Sequence, residues 1–86
     1  MGQMRKSAVQ IRFEMLEYLF FNSEKPQLRT IVWRKSTSTS YDDFLKHLAY
    51  LKEKKLVKET TEGSCVLTEE GRKTYVELRK SLPSIL

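Results

Sequence analysis

The stretch Tyr41–Gly71, YDDFLKHLAYLKEKKLVKETTEGSCVLTEEG, changes its periodicity twice, and those changes decide the fold. In its first part Tyr41, Phe44, Leu45, Leu48 and Leu51 recur every three or four residues, the period of a helix with one buried face. Asp42 and Asp43 open that helix, where the positive end of the macrodipole favours acids. Lys52, Lys54 and Lys55 close it, where the dipole favours bases. The pattern then shifts to β-prone residues: Val57, Thr60, Thr61, Cys65, Val66 and Thr68 surround Glu62-Gly63, a turn pair whose glycine is free to take φ > 0. A hairpin with arms near 56–60 and 64–68 is expected. Thr68 is placed to cap a last helix, over about 69–82, with Glu69 and Glu70 in its first turn. Tyr75, Val76, Leu78 and Leu82 give it an apolar side, and Pro83 is expected to end it.

Upstream lies Ser36-Thr37-Ser38-Thr39-Ser40, a run of small hydroxyl residues. Their side chains compete for backbone donors, so they interrupt a helix, and Thr39 or Ser40 can cap the one that follows. Before the run, Leu28, Ile31 and Val32 share one side of a short helix in which Pro26 is an early position, with Arg29 and Arg34 off that side. Before that, Ala8, Ile11, Met15, Leu19 and Val9, Phe13, Leu16, Phe20 form two adjacent helical stripes. Their combined width places this first helix at the centre of the core. The order is helix, helix, helix, hairpin, helix, a mainly α architecture with a small β-hairpin (α+β) in a single domain over 1–86. Its core spans about 8–82, with a helix-turn-helix over about 27–54 and a wing over about 56–68.

With 86 residues, 40% of them hydrophobic and 31% charged, the chain fits one compact domain with a thin core that a homodimer would reinforce. Its net charge of +5 permits an anionic partner without naming one. The excess is concentrated early: residues 1–36 carry seven Lys/Arg against three Glu, whereas residues 58–86 balance at five against five. A single cysteine, Cys65, excludes an internal disulfide and a cysteine-based zinc site, and is simplest as a small hydrophobe in a wing strand. A reducing, cytoplasmic setting follows as the expectation. No apolar run nears the ~20 residues that span a bilayer, and MGQMRKSAVQ lacks the apolar core of a secretory signal. No acid/base pair, Gly-rich phosphate loop or nucleotide fingerprint is present, so no enzyme, cofactor or small-molecule substrate is expected.

FLKHLAYLKEKKLVKE (44–59) resembles the recognition-helix segment of winged helix-turn-helix proteins, in which leucines spaced like Leu45, Leu48 and Leu51 precede a charged turn and an apolar pair like Leu56-Val57. VLTEEGRKTY (66–75) is similar to their Leu-Thr-x-x-Gly element, here Leu67, Thr68 and Gly71. RTIVWRKSTSTSYDDFLKHL (29–48) resembles small archaeal winged-helix DNA-binding proteins and transcriptional regulators. The likeness covers roughly residues 8–82. Lys55 departs from it, standing where such proteins usually carry Gly, and the turn is one or two residues longer.

The resemblance implies double-stranded DNA as partner, with a recognition helix over about 40–54 in the major groove. The residues then expected outward on or before that helix are Ser38, Thr39, Ser40, Lys46, His47 and Tyr50. Hydroxyls bond phosphates or bases, and Lys46 reaches phosphate or guanine. Arg29, Arg34 and Lys35 are the phosphate candidates on the supporting helix, and Lys58 is the candidate on the wing. Arg5, Lys6 and Arg12 extend the basic surface or fray at a terminus. Asp42 and Asp43 suit the helix dipole better than DNA, and Glu59 and Glu62 weaken the wing as a groove reader. His47, the one histidine, lacks companions for a metal or a catalytic pair. Trp33 is expected at the edge of the core, with a dimer contact as the sharper alternative. Two further functions stay open: a protein–protein assembly module, and an architectural DNA binder with little sequence preference.

Overall fold

The computed structural model describes residues 7–85, with side chains described to Ser81; Arg5 and Lys6 lie outside the described residues. The chain runs α1 (Ala8–Phe21), β1 (Gln27–Leu28), α2 (Arg29–Ser36), α3 (Tyr41–Glu53), β2 (Val57–Glu59), β3 (Ser64–Leu67) and α4 (Glu69–Ile85). The four helices and small antiparallel sheet have the expected mainly α architecture.

α1 is the centre, touching α2, α3, α4 and β3. It buries Ile11, Phe13, Met15, Leu16 and Leu19, drawing on both of its stripes. Val9 lies at the helix start and stays exposed. Val32 from α2, Phe44, Leu48 and Leu51 from α3, Val57, Cys65 and Tyr75 complete the core. Tyr75 stacks on Phe13 at 5.3 Å and meets Phe20 at 4.7 Å, and its hydroxyl donates to the Glu17 carboxylate at 3.2 Å. Aromatic burial of this kind contributes beyond area alone.

Three caps fix the helix starts. Ser7 Oγ accepts from Gln10 N, Ser40 Oγ from Asp43 N, both at 3.1 Å, and Thr68 Oγ1 from Gly71 N at 2.9 Å. Thr68 Oγ1 also donates to the Lys55 carbonyl at 2.7 Å, tying the end of the hairpin to the end of α3. At that end Lys55 adopts φ +64°, so the chain leaves α3 through the left-handed region that a Gly would occupy without strain.

Three features depart from expectation. Pro26 does not open α2; it precedes β1, whose Gln27 pairs with Cys65 and Leu28 with Ser64, so the hairpin belongs to a three-stranded sheet in the order β1-β3-β2. Two residues are too few to show a period, and only their position beside β3 makes them a strand. Leu28 consequently stands on a strand and is exposed, off the side shared by Ile31 and Val32. α2 has no side-chain cap; its first amide, Arg29 N, donates to Gly63 O at 3.2 Å. Finally, α4 continues through Pro83 to Ile85. A proline this near the end removes one hydrogen bond, and little helix follows it.

Candidate nucleic-acid interface

The helix-turn-helix is held at its corner by Trp33. Its indole N–H donates to the Thr39 carbonyl at 2.7 Å, and its ring meets Tyr41 edge-on at 5.0 Å. Tyr41 in turn stacks on Phe44 at 5.8 Å. Trp33 is thus half-buried and engaged within its own chain, at the edge of the core. The turn Thr37–Ser40 is a short ordered link between two helices, with the Ser40 hydroxyl occupied in capping.

Phe44, Leu48 and Leu51 turn one side of α3 into the core. At 100° per residue the opposite side carries Asp42, Lys46, Ala49 and Glu53, all exposed. Ser38, Arg34, Lys35 and Lys58 are exposed as well, whereas Thr39 is half-buried. Arg34 and Lys35 occupy the last turn of α2, where the dipole favours cations. None of Arg34, Lys35, Lys46 and Lys58 makes an ion pair among the described residues.

The two edges of α3 differ. On the wing side, Glu59 stands between two cations: its Oε1 is 2.6 Å from Lys52 Nζ and its Oε2 is 3.1 Å from Arg29 Nε. The second contact is an ion pair without hydrogen-bond alignment, since Oε2 is buried and lacks a hydrogen bond. Glu59 is 13% exposed, so it is no solvated wing acid; it anchors β2 to α2 and α3. Strand alternation carried this signal. Glu59 lies two residues after buried Val57, on the same side, with exposed Lys58 between them.

On the α1 side, Arg12 Nε donates to His47 Nδ1 at 3.2 Å, and the guanidinium lies 3.6 Å from the Tyr50 ring centroid. Lys54 Nζ approaches the same ring at 5.5 Å. Burial first, and the Arg12 charge second, hold the His47 imidazolium below its usual pKa of 6.5, against an opposing pull from Asp43. Arg12 was expected only to extend the basic surface or fray at a terminus; its bond to His47 was not legible, because the two lie 35 residues apart and nothing local joins them. The structure therefore brings His47 and Tyr50 together with Arg12, and Arg29 together with Glu59 and Lys52.

Residues 5–83 match the winged helix-turn-helix family. The chain belongs to that family. No curated protein and no solved structure matches the chain. The winged helix-turn-helix is a DNA-binding fold; Arg34, Lys35, Lys46 and Lys58 fall on its motif helices and wing, while Arg12 belongs to α1. Among the described residues, no group of three or more His, Cys, Asp or Glu is placed to hold a metal ion, and no helix is long and apolar enough to cross a membrane. Burial, and then the Glu59 charge, push the Cys65 thiol up to about 11, so this sulfur is a protonated core atom at neutral pH.

Proposed function

We propose that this winged helix-turn-helix protein binds double-stranded DNA in a sequence-specific way and acts as a transcriptional regulator in the cytoplasm. The observation that supports the reading is that Arg34, Lys35, Lys46 and Lys58, on α2, α3 and β2 of a winged helix-turn-helix chain, are exposed and make no ion pair among the described residues. In this mechanism Arg34 and Lys35 hold phosphates, α3 enters the major groove, and Lys46 and His47 meet base edges beside Ser38, Thr39 and Ser40. Tyr50 lines the same entrance and Lys58 reaches a flanking phosphate. Arg29, being paired with Glu59, supports the wing instead. A homodimer would place two such helices on half-sites about one helical turn apart.

One observation favours a second reading. The outermost side of α3 offers Asp42, Ala49 and Glu53 with only Lys46 for positive charge. A face of that composition suits a protein partner in an assembly better than a polyanion.

Selection of bound duplexes from a random pool, followed by affinity measurements across salt concentration, separates the readings. The regulator yields a consensus and an affinity that falls steeply with salt, and Arg34→Glu with Lys35→Glu flattens the slope. Binding without a consensus supports an architectural protein. No duplex binding at low salt supports the assembly module. Light scattering decides the oligomer, and a monomer at high concentration removes the homodimer.

A further inference from the structure

We propose that Arg12 is a positioning residue for the recognition helix. It fixes the His47 ring with its proton on Nε2, so that position 47 offers DNA a hydrogen-bond donor and selects an acceptor there. This rests on the DNA-binding reading and names the chemistry that one position would recognise.

Arginine has five N–H donors and no acceptor. A ring nitrogen 3.2 Å from Arg12 Nε, receiving its hydrogen, must present a lone pair. His47 Nδ1 is therefore unprotonated, and the proton of the neutral ring resides on Nε2. The guanidinium cannot simply turn away, because it also lies 3.6 Å from the Tyr50 ring centroid, within cation–π range. Arg12 projects from the central helix, whose neighbours Ile11 and Phe13 are buried, so its backbone is held as well. The charged groups facing His47 are Arg12 from α1 and Asp43 from its own helix, one turn earlier. Asp43 alone would favour a protonated ring; Arg12 and burial oppose it.

The two ring nitrogens point in divergent directions, so the Nε2–H is aimed away from Arg12. Acceptors available on a duplex are guanine N7 and O6, adenine N7, thymine O4, and the phosphate oxygens. A cytosine amine, a donor, is rejected. Acid reverses the device: a proton on Nδ1 would oppose N–H to N–H and set two positive charges together.

The chain has one histidine, so ring-nitrogen NMR on uniformly 15N-labelled protein observes His47 without assignment. The expected spectrum above pH 7 has a protonated Nε2 and a bare Nδ1. Arg12→Met keeps much of the apolar stem and removes the donor, so the ring should relax to a tautomer mixture. Arg12→Lys restores a donor and should restore the tautomer. On duplexes selected with the wild type, Arg12→Met should lose on the order of 5–10-fold of the preference at one base pair, with its salt slope unchanged. If 7-deazapurine at that base pair abolishes the preference, the acceptor is a purine N7; a loss that is uniform across sequences points to phosphate. A wild-type ring protonated on Nδ1 overturns the inference outright. So does an Arg12→Met protein whose salt slope flattens while its preference survives, since Arg12 would then be an ordinary phosphate contact. Absence of any duplex binding by the wild type sinks the DNA-binding reading, whatever the tautomer.

Discussion

The two edges of α3 carry similar formal charge and use it in opposite ways. On the wing edge, Arg29 and Lys52 share a single counter-charge, Glu59, which ties both of them to the fold. On the α1 edge, Arg12 and Lys54 lie against the Tyr50 ring, a partner that attracts cations without cancelling them. A net charge of +5 therefore says little about which cations can meet a polyanion. Among the described residues, Arg29 and Lys52 are paired to the wing, whereas Arg34, Lys35, Lys46 and Lys58 are exposed without an ion pair, and Arg12 lies behind His47.

The wing edge should break first at its backbone. A Cβ at position 71 would sit 2.1 Å from the Leu56 carbonyl oxygen and 2.7 Å from Leu67 Cδ1, just where α4 seats on the link between α3 and β2. Gly71→Ala should cost about 3 kcal/mol of unfolding free energy, as forced overpacking does. A denaturant midpoint matching that of the exposed control Lys73→Ala would show that the seat can yield.

The next effect tests the paired charges. Glu59→Gln leaves Arg29 and Lys52 near each other without a counter-charge. Both cations are over a third exposed, so water screens much of the loss. About 1 kcal/mol of stability should go, and the released cations should steepen the salt dependence of DNA binding by about one unit of log–log slope. An unchanged slope would mean that the wing cations do not face DNA even when released.

A gain of about 1 kcal/mol is expected from Lys55→Gly, because the left-handed φ at this junction is a strain for any side chain and none for glycine. A lower thermal midpoint would refute the strain. The smallest effect belongs to the α1 edge. The His47 pKa in the folded chain lies below the usual 6.5, so the unfolded chain takes up the proton first. The stability this provides is complete above about pH 6.5 and is lost as pH falls through the folded pKa. Arg12→Met should shallow that decline, as seen in denaturant titrations between pH 7.5 and 5; an identical decline would remove Arg12 from the cause.

Much of the fold was readable because its signals were local and agreed with one another. In α3 the apolar stripe, the acidic start and the basic end pointed one way, and Ser40 supplied the cap. Thr68 and Gly63 marked the two ends of the hairpin by chemistry that works over two or three residues. What escaped was tertiary. β1 exists only because β3 lies beside it, and Arg12 joins His47 across the core. Lys55 is instructive in between: its place after α3 marked the junction, and the backbone keeps the left-handed turn although the residue is not glycine. The site was legible as a set of surface cations, but which of them are already paired was not.

The division between paired and unpaired charge is tested most directly by the salt dependence of duplex binding in two variants. Arg34→Ala combined with Lys35→Ala should lower the log–log slope by nearly two, at about 0.9 per phosphate contact, while Arg29→Ala should leave it as in the wild type. An Arg29→Ala protein that loses as much slope per residue as the Arg34/Lys35 pair would contradict the account, as would a wild type that binds no duplex at all.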